Sequence, residues 1–294
     1  MARESNTGNS VSTKYDIPVA KQATTPDHLI WYAGELGGGV WEGHWIEFLL
    51  TGTTGGSGPK RNVLVINSFD DWPSIVDCIP DPEAWGLAVV DERNVIGLEV
   101  LRSFRFVLRI GFAIGEYAEN VTTVPLYTPG PFLAGAKSFA MDESKREYLW
   151  CFCGEDSKQD RRYMLYKLRS LQPNFVHSFT GRWMPPEALS VENYARILHS
   201  STFAPSPFGS VHPECYRTYE ALHCGALPIV KTHYYQQQFG APLPVVRTWT
   251  EARDLMESLL EDGAHLADLR TSCINWYRSL PTIFRRRVAA LVAR

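Results

Sequence analysis

The sequence predicts an α/β protein built from two Rossmann-like domains with parallel sheets. Three observations support this fold class. Short apolar runs rich in β-branched residues alternate with segments of helical periodicity, and the order βαβαβ occurs twice. A segment rich in proline and glycine, 127–145, separates the two halves. The chain has 294 residues, 45% of them hydrophobic, which is enough for two domains of ordinary size.

The first half begins with residues 1–27, which are polar and lack periodicity, so we expect a flexible tail there. The N-terminal domain is predicted over 28–130. It opens with a strand at 28–33, followed by a glycine run at 34–39 and a helix at 40–51. The glycine run does not match the dinucleotide pattern G-x-G-x-x-G, so a plain tight turn explains it as well as a ligand loop does.

Two carboxylates follow a buried strand of this first domain. Four more strands are predicted at 61–68, 85–90, 104–110 and 121–126. Asp91 and Glu92 come directly after the strand at 85–90, at the sheet edge where open α/β sheets bind ligands. Either side chain is a candidate general base for a hydroxyl proton. The alternative is that this segment only caps the predicted helix at 94–103, a role that Asp91 or Asn94 could fill.

The second half repeats the pattern, and a C-terminal domain is predicted over 146–264. Its first strand, 147–153, leads into a loop that contains Gly154, Ser157 and Arg161. Glycine lets the backbone approach a ligand closely, and a hydroxyl and a guanidinium can both bind phosphate. The alternative for the arginine is a solvated basic helix face.

A further strand is predicted at 174–180, and the loop that begins at Thr180 and Gly181 is a candidate to line the pocket for a nucleotide base. Ser190 begins the following helix as its N-cap residue. Later in the chain a short strand is predicted at 244–247. The remaining predicted elements are helices at 251–260, 265–279 and 284–292.

The stretch 201–232 contains the most informative chemical pattern of the chain. Its predicted layout is a strand at 201–204, a proline-rich loop at 205–213, a helix at 214–224 and a strand at 226–230. Arg217 lies in the first turn of the helix, where a guanidinium can bind a phosphate. Glu220 follows on the same face and can accept hydrogen bonds from sugar or ribose hydroxyls. The alternative is a surface ion pair between these two residues.

This stretch resembles the C-terminal half of the exostosin-like glycosyltransferases, including the related ribitol xylosyltransferases. The resemblance depends on the residues Ser201, Phe203, Pro207, Gly209, Arg217, Glu220, Ala221, Leu222, Gly225, Pro228 and Ile229. A weaker likeness covers 107–109 and 124–130, where Tyr127 stands in place of the usual glycine. The resemblance implies the GT-B architecture, two Rossmann-like domains facing across a cleft. It also implies C-terminal helices, here 265–294, that can cross back to the first domain.

The resemblance further implies a glycosyltransferase that moves a sugar from a nucleotide-sugar, of the UDP type, to a hydroxyl of a glycan or polyol. Inverting, metal-independent chemistry is expected, with no cofactor and no metal site. Arg217 and the helix start at Glu214 would then neutralise the leaving diphosphate. The donor-binding positions expected from the motif are Pro207, Gly209 and Glu220, and Ser206, next to Pro207, is a further candidate. Two alternatives remain, a catalytically inactive GT-B-like protein that binds a glycan or a partner, and a nucleotide-sugar epimerase of the GT-B type.

Composition and motifs exclude several other classes. A net charge of −3 lacks the basic character of a nucleic-acid-binding protein. No apolar run of 18 residues predicts a membrane span, so we expect a soluble protein that is cytoplasmic, or Golgi-luminal if an N-terminal anchor is missing. The six cysteines do not show zinc-ribbon spacing. Signatures of metalloproteases, P-loop NTPases and α/β-hydrolases are missing as well.

Overall fold

The computed structural model of the chain describes residues 29–33, 41–50, 63–67, 76, 79, 81–90, 96–110, 118–136, 146–181, 185–209, 213–231 and 239–293. The predicted tail at 1–27, the glycine run at 34–39, and the candidate bases Asp91 and Glu92 lie outside these residues. The described part contains two five-stranded sheets in which all pairs are parallel. The α/β class with parallel sheets is therefore confirmed.

The N-terminal sheet consists of β1 Leu29–Ala33, β2 Val63–Asn67, β3 Gly86–Val89, β4 Phe106–Ile110 and β5 Val121–Val124. These strands lie side by side in chain order. The described residues of this unit include the helices α1 Gly43–Leu50 and α2 Leu98–Ser103, with a short 3-10 helix at Pro82–Ala84. Every residue of β3 and β4 is buried, as expected for parallel strands that are covered on both faces.

The C-terminal sheet consists of β6 Tyr148–Glu155, β7 Asn174–Phe179, β8 Ser201–Ser206, β9 Leu227–Lys231 and β10 Val245–Val246. Its spatial order is β10-β9-β8-β6-β7. The helices that the structure describes in this unit are α4 Gln159–Leu168, α5 Val191–His199, α6 Tyr216–His223 and α7 Trp249–Glu261. The helix α3, Gly130–Ala136, precedes them and lies within the segment 127–145 that we predicted to be the boundary between the two halves.

Pro205, which we predicted to lie in a loop, is part of strand β8. Both β6 and β8 lie wholly within the described residues, and they pair only at Tyr148↔Ser201 and Trp150↔Phe203. Beyond Phe203, β8 pairs with β9 alone, and Pro205 lies opposite Ile229 of that strand.

The chain ends in one helix, α8, Gly263–Val292, where we predicted two. Pro281 lies inside it and removes one backbone hydrogen bond, which is why the sequence suggested a break. Leu280 and Phe284 on either side are buried, and this packing keeps the helix continuous. Helix α8 contacts α1, β4 and β5 of the first unit as well as α6 and α7 of the second.

Aromatic rings join the two units into one core. The Tyr127 ring, between the two sheets in the chain, stacks on Trp45 of α1 with 4.4 Å between ring centroids. It also stacks on Tyr277 of α8 at 5.1 Å. The Tyr277 hydroxyl lies 2.7 Å from Thr128 Oγ1 and 3.2 Å from His223 Nδ1 of α6. The buried cluster therefore runs through both units. No helix in the described ranges is both long and apolar enough to cross a membrane.

Candidate donor-binding crevice

The C-terminal sheet has a topological switch point between β6 and β8. The chain runs from β6 to β7 on one side and then returns to place β8 on the other side of β6. Since the loops after two such strands turn to opposite faces, a crevice opens between them at the carboxyl edge, where open α/β sheets bind ligands. The pairing of β6 with β8 ends at Trp150 and Phe203, before either strand ends. The loops 156–158 and 207–209 form its two walls.

Arg217 occupies this crevice from the first turn of α6. The residue is only 8% exposed. Its Nη2 donates a hydrogen bond to the Cys153 carbonyl oxygen at 2.8 Å, and its Cζ lies 4.5 Å from the centroid of the Phe152 ring. Its Nη1 lies 3.7 Å from Cys215 Sγ. The arginine thus binds the carbonyl edge of β6 at the point where β8 has diverged.

The charge of this buried guanidinium is maintained by its surroundings. Burial acts to lower the pKa of Arg217, but Cys215, Tyr194 and Glu220 raise it, and the net direction of the pKa is upward. A cation is therefore held in a site with little solvent. A cation so placed interacts strongly with an anionic ligand because water screens it little.

Gly154 makes the position of Arg217 possible. Its φ is +148°, a conformation that favours glycine, and a β-carbon there would lie 2.6 Å from Arg217 Nη2. Any side chain would therefore displace the guanidinium. The prediction that this glycine permits a close approach is consistent with this geometry, although the group in contact is a protein side chain.

Glu220 lies one turn further along α6 and is also 8% exposed. Tyr194 Oη donates a hydrogen bond to its Oε2 at 3.0 Å. Burial raises the pKa of Glu220 to about 7, against the opposing effects of Arg217 and of the tyrosine hydrogen bond. Within the described residues, Glu220 and Arg217 are both buried and form no direct ion pair, so the surface-pair alternative is wrong.

Two more cations connect the walls of the crevice. Arg161 Nη1 donates to the Glu155 carbonyl oxygen at 2.9 Å and to Glu155 Oε2 at 2.8 Å. Its Nη2 donates to the Phe208 carbonyl oxygen at 3.3 Å, and Lys158 Nζ donates to the Gly209 carbonyl oxygen at 2.6 Å. Burial, followed by the nearby charge of Arg217, lowers the pKa of Arg161. At 7% exposure Arg161 does not belong to a solvated helix face, so that alternative is wrong.

The other predicted residues around the crevice have mixed positions. The Ser157 backbone N–H donates to the Glu155 carboxylate. Ser206 Oγ is buried 2.8 Å from Thr218 Oγ1, a contact that joins β8 to α6. Pro207 is buried, and Gly209 is partly exposed in the wall opposite Lys158.

Thr180 and Gly181 lie at the exposed end of β7, beside the β6 loop. Thr180 Oγ1 donates to Asp156 Oδ1 at 2.7 Å, which ties the two loops together. Gly181 has φ +115°, and nothing lies within 4 Å of the place where a β-carbon would stand. Both residues are therefore placed at an open rim of the crevice.

Glu214 lies away from the donor-binding position that was predicted for it. Helix α6 begins at Tyr216 with Cys215 as its N-cap, so Glu214 precedes the helix. Its Oε2 accepts a hydrogen bond from the Leu126 backbone N–H at 3.1 Å, and its Oε1 accepts one from the Tyr219 hydroxyl. The carboxylate is 1% exposed and stabilises the contact between the two units.

Sequence reasoning missed Lys158 and Tyr194. The position of Lys158, directly after a βα loop with a glycine, was a usable signal for an anion-binding residue. Tyr194 gave no such signal, since one tyrosine on an amphipathic helix looks like an ordinary core residue.

The fold and its crevice define the class of this protein as α/β with GT-B architecture. A mutant O-GlcNAc transferase of Thermobaculum terrenum, a GT-B glycosyltransferase of known structure, matches with a TM-score of 0.52 at 14% identity. The match covers 90% of this chain and 65% of that chain. At this identity the likeness concerns the fold alone. The chain belongs to the RXYLT1-like glycosyltransferase family, because the family model described as the RXYLT1 C-terminal domain matches residues 131–294.

Two curated relatives have the same name. Ribitol-5-phosphate xylosyltransferase 1 of Homo sapiens is 25% identical over 170 residues, which are 49% of this chain and 38% of that protein. The protein of that name from Mus musculus is 26% identical over 169 residues, 49% of this chain and 37% of its own length. The match with this chain thus spans less than half the length of either relative.

Proposed function

We propose that this chain binds a nucleotide-sugar in the β6–β8 crevice and transfers the sugar to a hydroxyl of a glycan or polyol. The family assignment and the GT-B fold support this proposal. The relatives are named for xylosyl transfer and for ribitol 5-phosphate, so a pentosyl donor and a polyol phosphate acceptor are the first substrates to test. The donor is proposed to be a UDP-sugar.

The observation that carries the proposal is the buried, charged Arg217 at the switch point. Arg161 and Lys158 add two cations on the walls of the same crevice. Glu155, Glu220 and Asp156 lie near them, so these six side chains carry three positive charges and three negative charges when all are ionised. The three cations are the groups that can bind the negative charge of a nucleoside diphosphate at the carboxyl edge of the sheet.

The same residues suggest how the leaving group is stabilised. Negative charge develops on the diphosphate as the bond to the sugar breaks, and a fixed guanidinium that needs no reorganisation stabilises this charge. We propose that Arg217 acts in this way and that a metal ion is not required. Glu220 would accept hydrogen bonds from hydroxyls of the ribose or of the sugar. Thr180 and Gly181 would lie near the uracil base of the nucleotide.

We propose that the first unit supplies the general base that activates the acceptor hydroxyl. Inverting transfer needs a carboxylate that takes the proton from the attacking hydroxyl. The candidates for this role are still Asp91 and Glu92, which follow β3 in the chain after the single residue Val90. Asp91→Asn and Glu92→Gln test them one at a time, and the base is the residue whose loss abolishes transfer while UDP binding is retained.

The main test is binding and turnover with purified protein. Calorimetry with UDP and with UDP-xylose is expected to show binding that Arg217→Ala weakens by at least ten-fold. Arg286→Ala is the matched control, since Arg286 is an exposed arginine on α8. Transfer to ribitol 5-phosphate, measured with and without EDTA, tests the acceptor class and the metal requirement. Unmodified protein that binds neither nucleotide would contradict the proposal, and binding without hydrolysis or transfer would favour an inactive GT-B-like protein.

A further inference from the structure

Tyr194 connects the candidate donor site to the helix between the two sheets. Its hydroxyl donates to Glu220 Oε2 at 3.0 Å. On the other side its ring meets Phe132 of α3 edge-on, with 5.7 Å between ring centroids. Phe132 is 3% exposed and also lies edge-on to His223, at 6.1 Å. The tyrosine is thus held between a fixed aromatic ring and the carboxylate.

The packing of α3 on α5 leaves this arrangement little freedom. A β-carbon on Gly135 of α3 would lie 2.5 Å from Val191 Cγ1, at the start of α5. The two helices therefore approach closely, and Tyr194 follows Val191 by one helical turn on α5. A displacement of α3 would move Phe132 and, through it, the tyrosine ring.

We propose that Tyr194 is a positioning residue, which holds Glu220 in the orientation that receives the hydroxyls of the nucleotide-sugar and couples that orientation to helix α3. This inference rests on the proposed function. Tyr194 does not itself contact the donor in this scheme. Its effect on binding passes through the Glu220 carboxylate.

The two carboxylate oxygens of Glu220 have different surroundings. Tyr194 occupies Oε2, and no described residue donates a hydrogen bond to Oε1. A carboxylate with one oxygen fixed by a hydroxyl presents the other in a defined direction at little entropic cost. The same hydrogen bond favours the ionised form, since it acts to lower the pKa of Glu220 against the effect of burial. Loss of the hydroxyl would therefore cost both orientation and charge.

Tyr194→Phe removes the hydroxyl and keeps the ring on Phe132. UDP-xylose binding at pH 7 is expected to weaken by about ten-fold, the usual effect of losing one hydrogen bond to a charged group. The KM for the donor should rise while kcat changes little. The pH midpoint of donor binding should move upward, because Glu220 without its partner needs a higher pH to ionise. A purely structural role would not move this midpoint.

Tyr148→Phe is the matched control. Tyr148 lies at the start of β6, where its ring packs on Phe175 with 5.5 Å between centroids, and its hydroxyl bonds to no described residue. Phe132→Leu is a second variant that keeps the tyrosine hydroxyl and loosens its support, and it should raise the pH midpoint by a smaller amount. In a Glu220→Gln background, Tyr194→Phe should lose its effect on the midpoint.

The outcomes separate the two proposals. Unmodified protein that binds no nucleotide would overturn the proposed function, and this inference with it. Unmodified protein that binds the donor, together with Tyr194→Phe and Phe132→Leu of unchanged affinity and pH midpoint, would overturn only the inference. If Tyr194→Phe proves unfolded by circular dichroism, the result for Phe132→Leu decides.

Discussion

The Glu214 carboxylate, in the C-terminal unit, accepts a hydrogen bond from the Leu126 backbone N–H, with 3.1 Å between Leu126 N and Glu214 Oε2. Leu126 lies two residues beyond the last strand of the N-terminal sheet. The second carboxylate oxygen accepts from Tyr219 on α6. The segment that leads into the candidate donor helix is thereby fixed to the exit of the other sheet.

Glu214→Ala should lower the free energy of unfolding by about 2–4 kcal/mol, because two buried donors lose their acceptor. Urea denaturation followed by circular dichroism measures this change. Glu257→Ala, at an exposed position on α7, is the control and should stay within about 0.5 kcal/mol of the unmodified protein. Equal stability of the two variants would show that the contact contributes nothing.

Gly154→Ala should weaken UDP binding by at least ten-fold, because the added methyl group would meet Arg217 Nη2 at 2.6 Å and displace the guanidinium. The unfavourable backbone conformation adds a loss of stability of about 1–3 kcal/mol. Calorimetry and a thermal melt measure the two effects. Gly240→Ala separates them, since Gly240 also has a positive φ, +67°, but nothing lies within 4 Å of its β-carbon position. A binding loss of equal size in both variants would contradict the steric explanation.

Glu220 should make stability depend on pH in an unusual direction. Burial raises its pKa in the folded protein to about 7 from an ordinary value of 4.5. Between these two pH values the folded state holds a proton that the unfolded state has released, and this proton stabilises the fold. Its contribution to the free energy of unfolding is complete below about pH 4.5 and is lost as the pH rises through about 7.

Glu220→Gln isolates this effect from that of the other carboxylates. Between pH 5 and pH 7.5 the free energy of unfolding of the unmodified protein should fall by about 2–3 kcal/mol relative to the variant. Urea denaturation at a series of pH values gives the difference. Parallel curves for the two proteins over this range would mean that Glu220 ionises normally.

Arg146→Met should destabilise the C-terminal unit without affecting the crevice. Arg146 Nη2 donates to the Gly225 carbonyl oxygen at 2.8 Å, and Nη1 donates to the carbonyls of His199 and Ser201. Removal of these charged donors from partly buried carbonyls is expected to cost about 2–4 kcal/mol. Urea denaturation checks the loss, Arg286→Met is the exposed control, and UDP affinity below the melting temperature should be unchanged. A variant as stable as the control would refute the prediction.

Local patterns were sufficient for much of the fold. The Ser190 cap is confirmed, because its Oγ accepts a hydrogen bond from the Asn193 backbone N–H at 3.3 Å. Thr248 caps α7 in the same way and accepts from the Glu251 backbone N–H at 3.1 Å. Gly225 has φ +75° directly after the C-cap of α6, the position at which glycine commonly ends a helix. These features depend on neighbours within a few residues, and the chain specifies them directly.

The alternation of apolar runs with helical segments also specified two parallel sheets, since parallel strands need crossover helices. Arg217 and Glu220 were placed on one helix face by their spacing alone. The tertiary structure decided which partner each charged side chain contacts. Glu214, one position before the α6 N-cap, is directed to Leu126, while Arg217 is directed to the Cys153 carbonyl.

The reason is that β6 and β8 are 53 residues apart in the chain at their last pair, Trp150 and Phe203, with another strand and two helices between them. The Cys153 carbonyl lies beyond this last pair, and it accepts a hydrogen bond from Arg217. Tyr194 reaches Glu220 for the same reason, 26 residues away along the chain. Contacts of this kind depend on the spatial order of the strands in the sheet. The hydrophobic periodicity of the sequence predicts where strands and helices occur, but it does not predict that order.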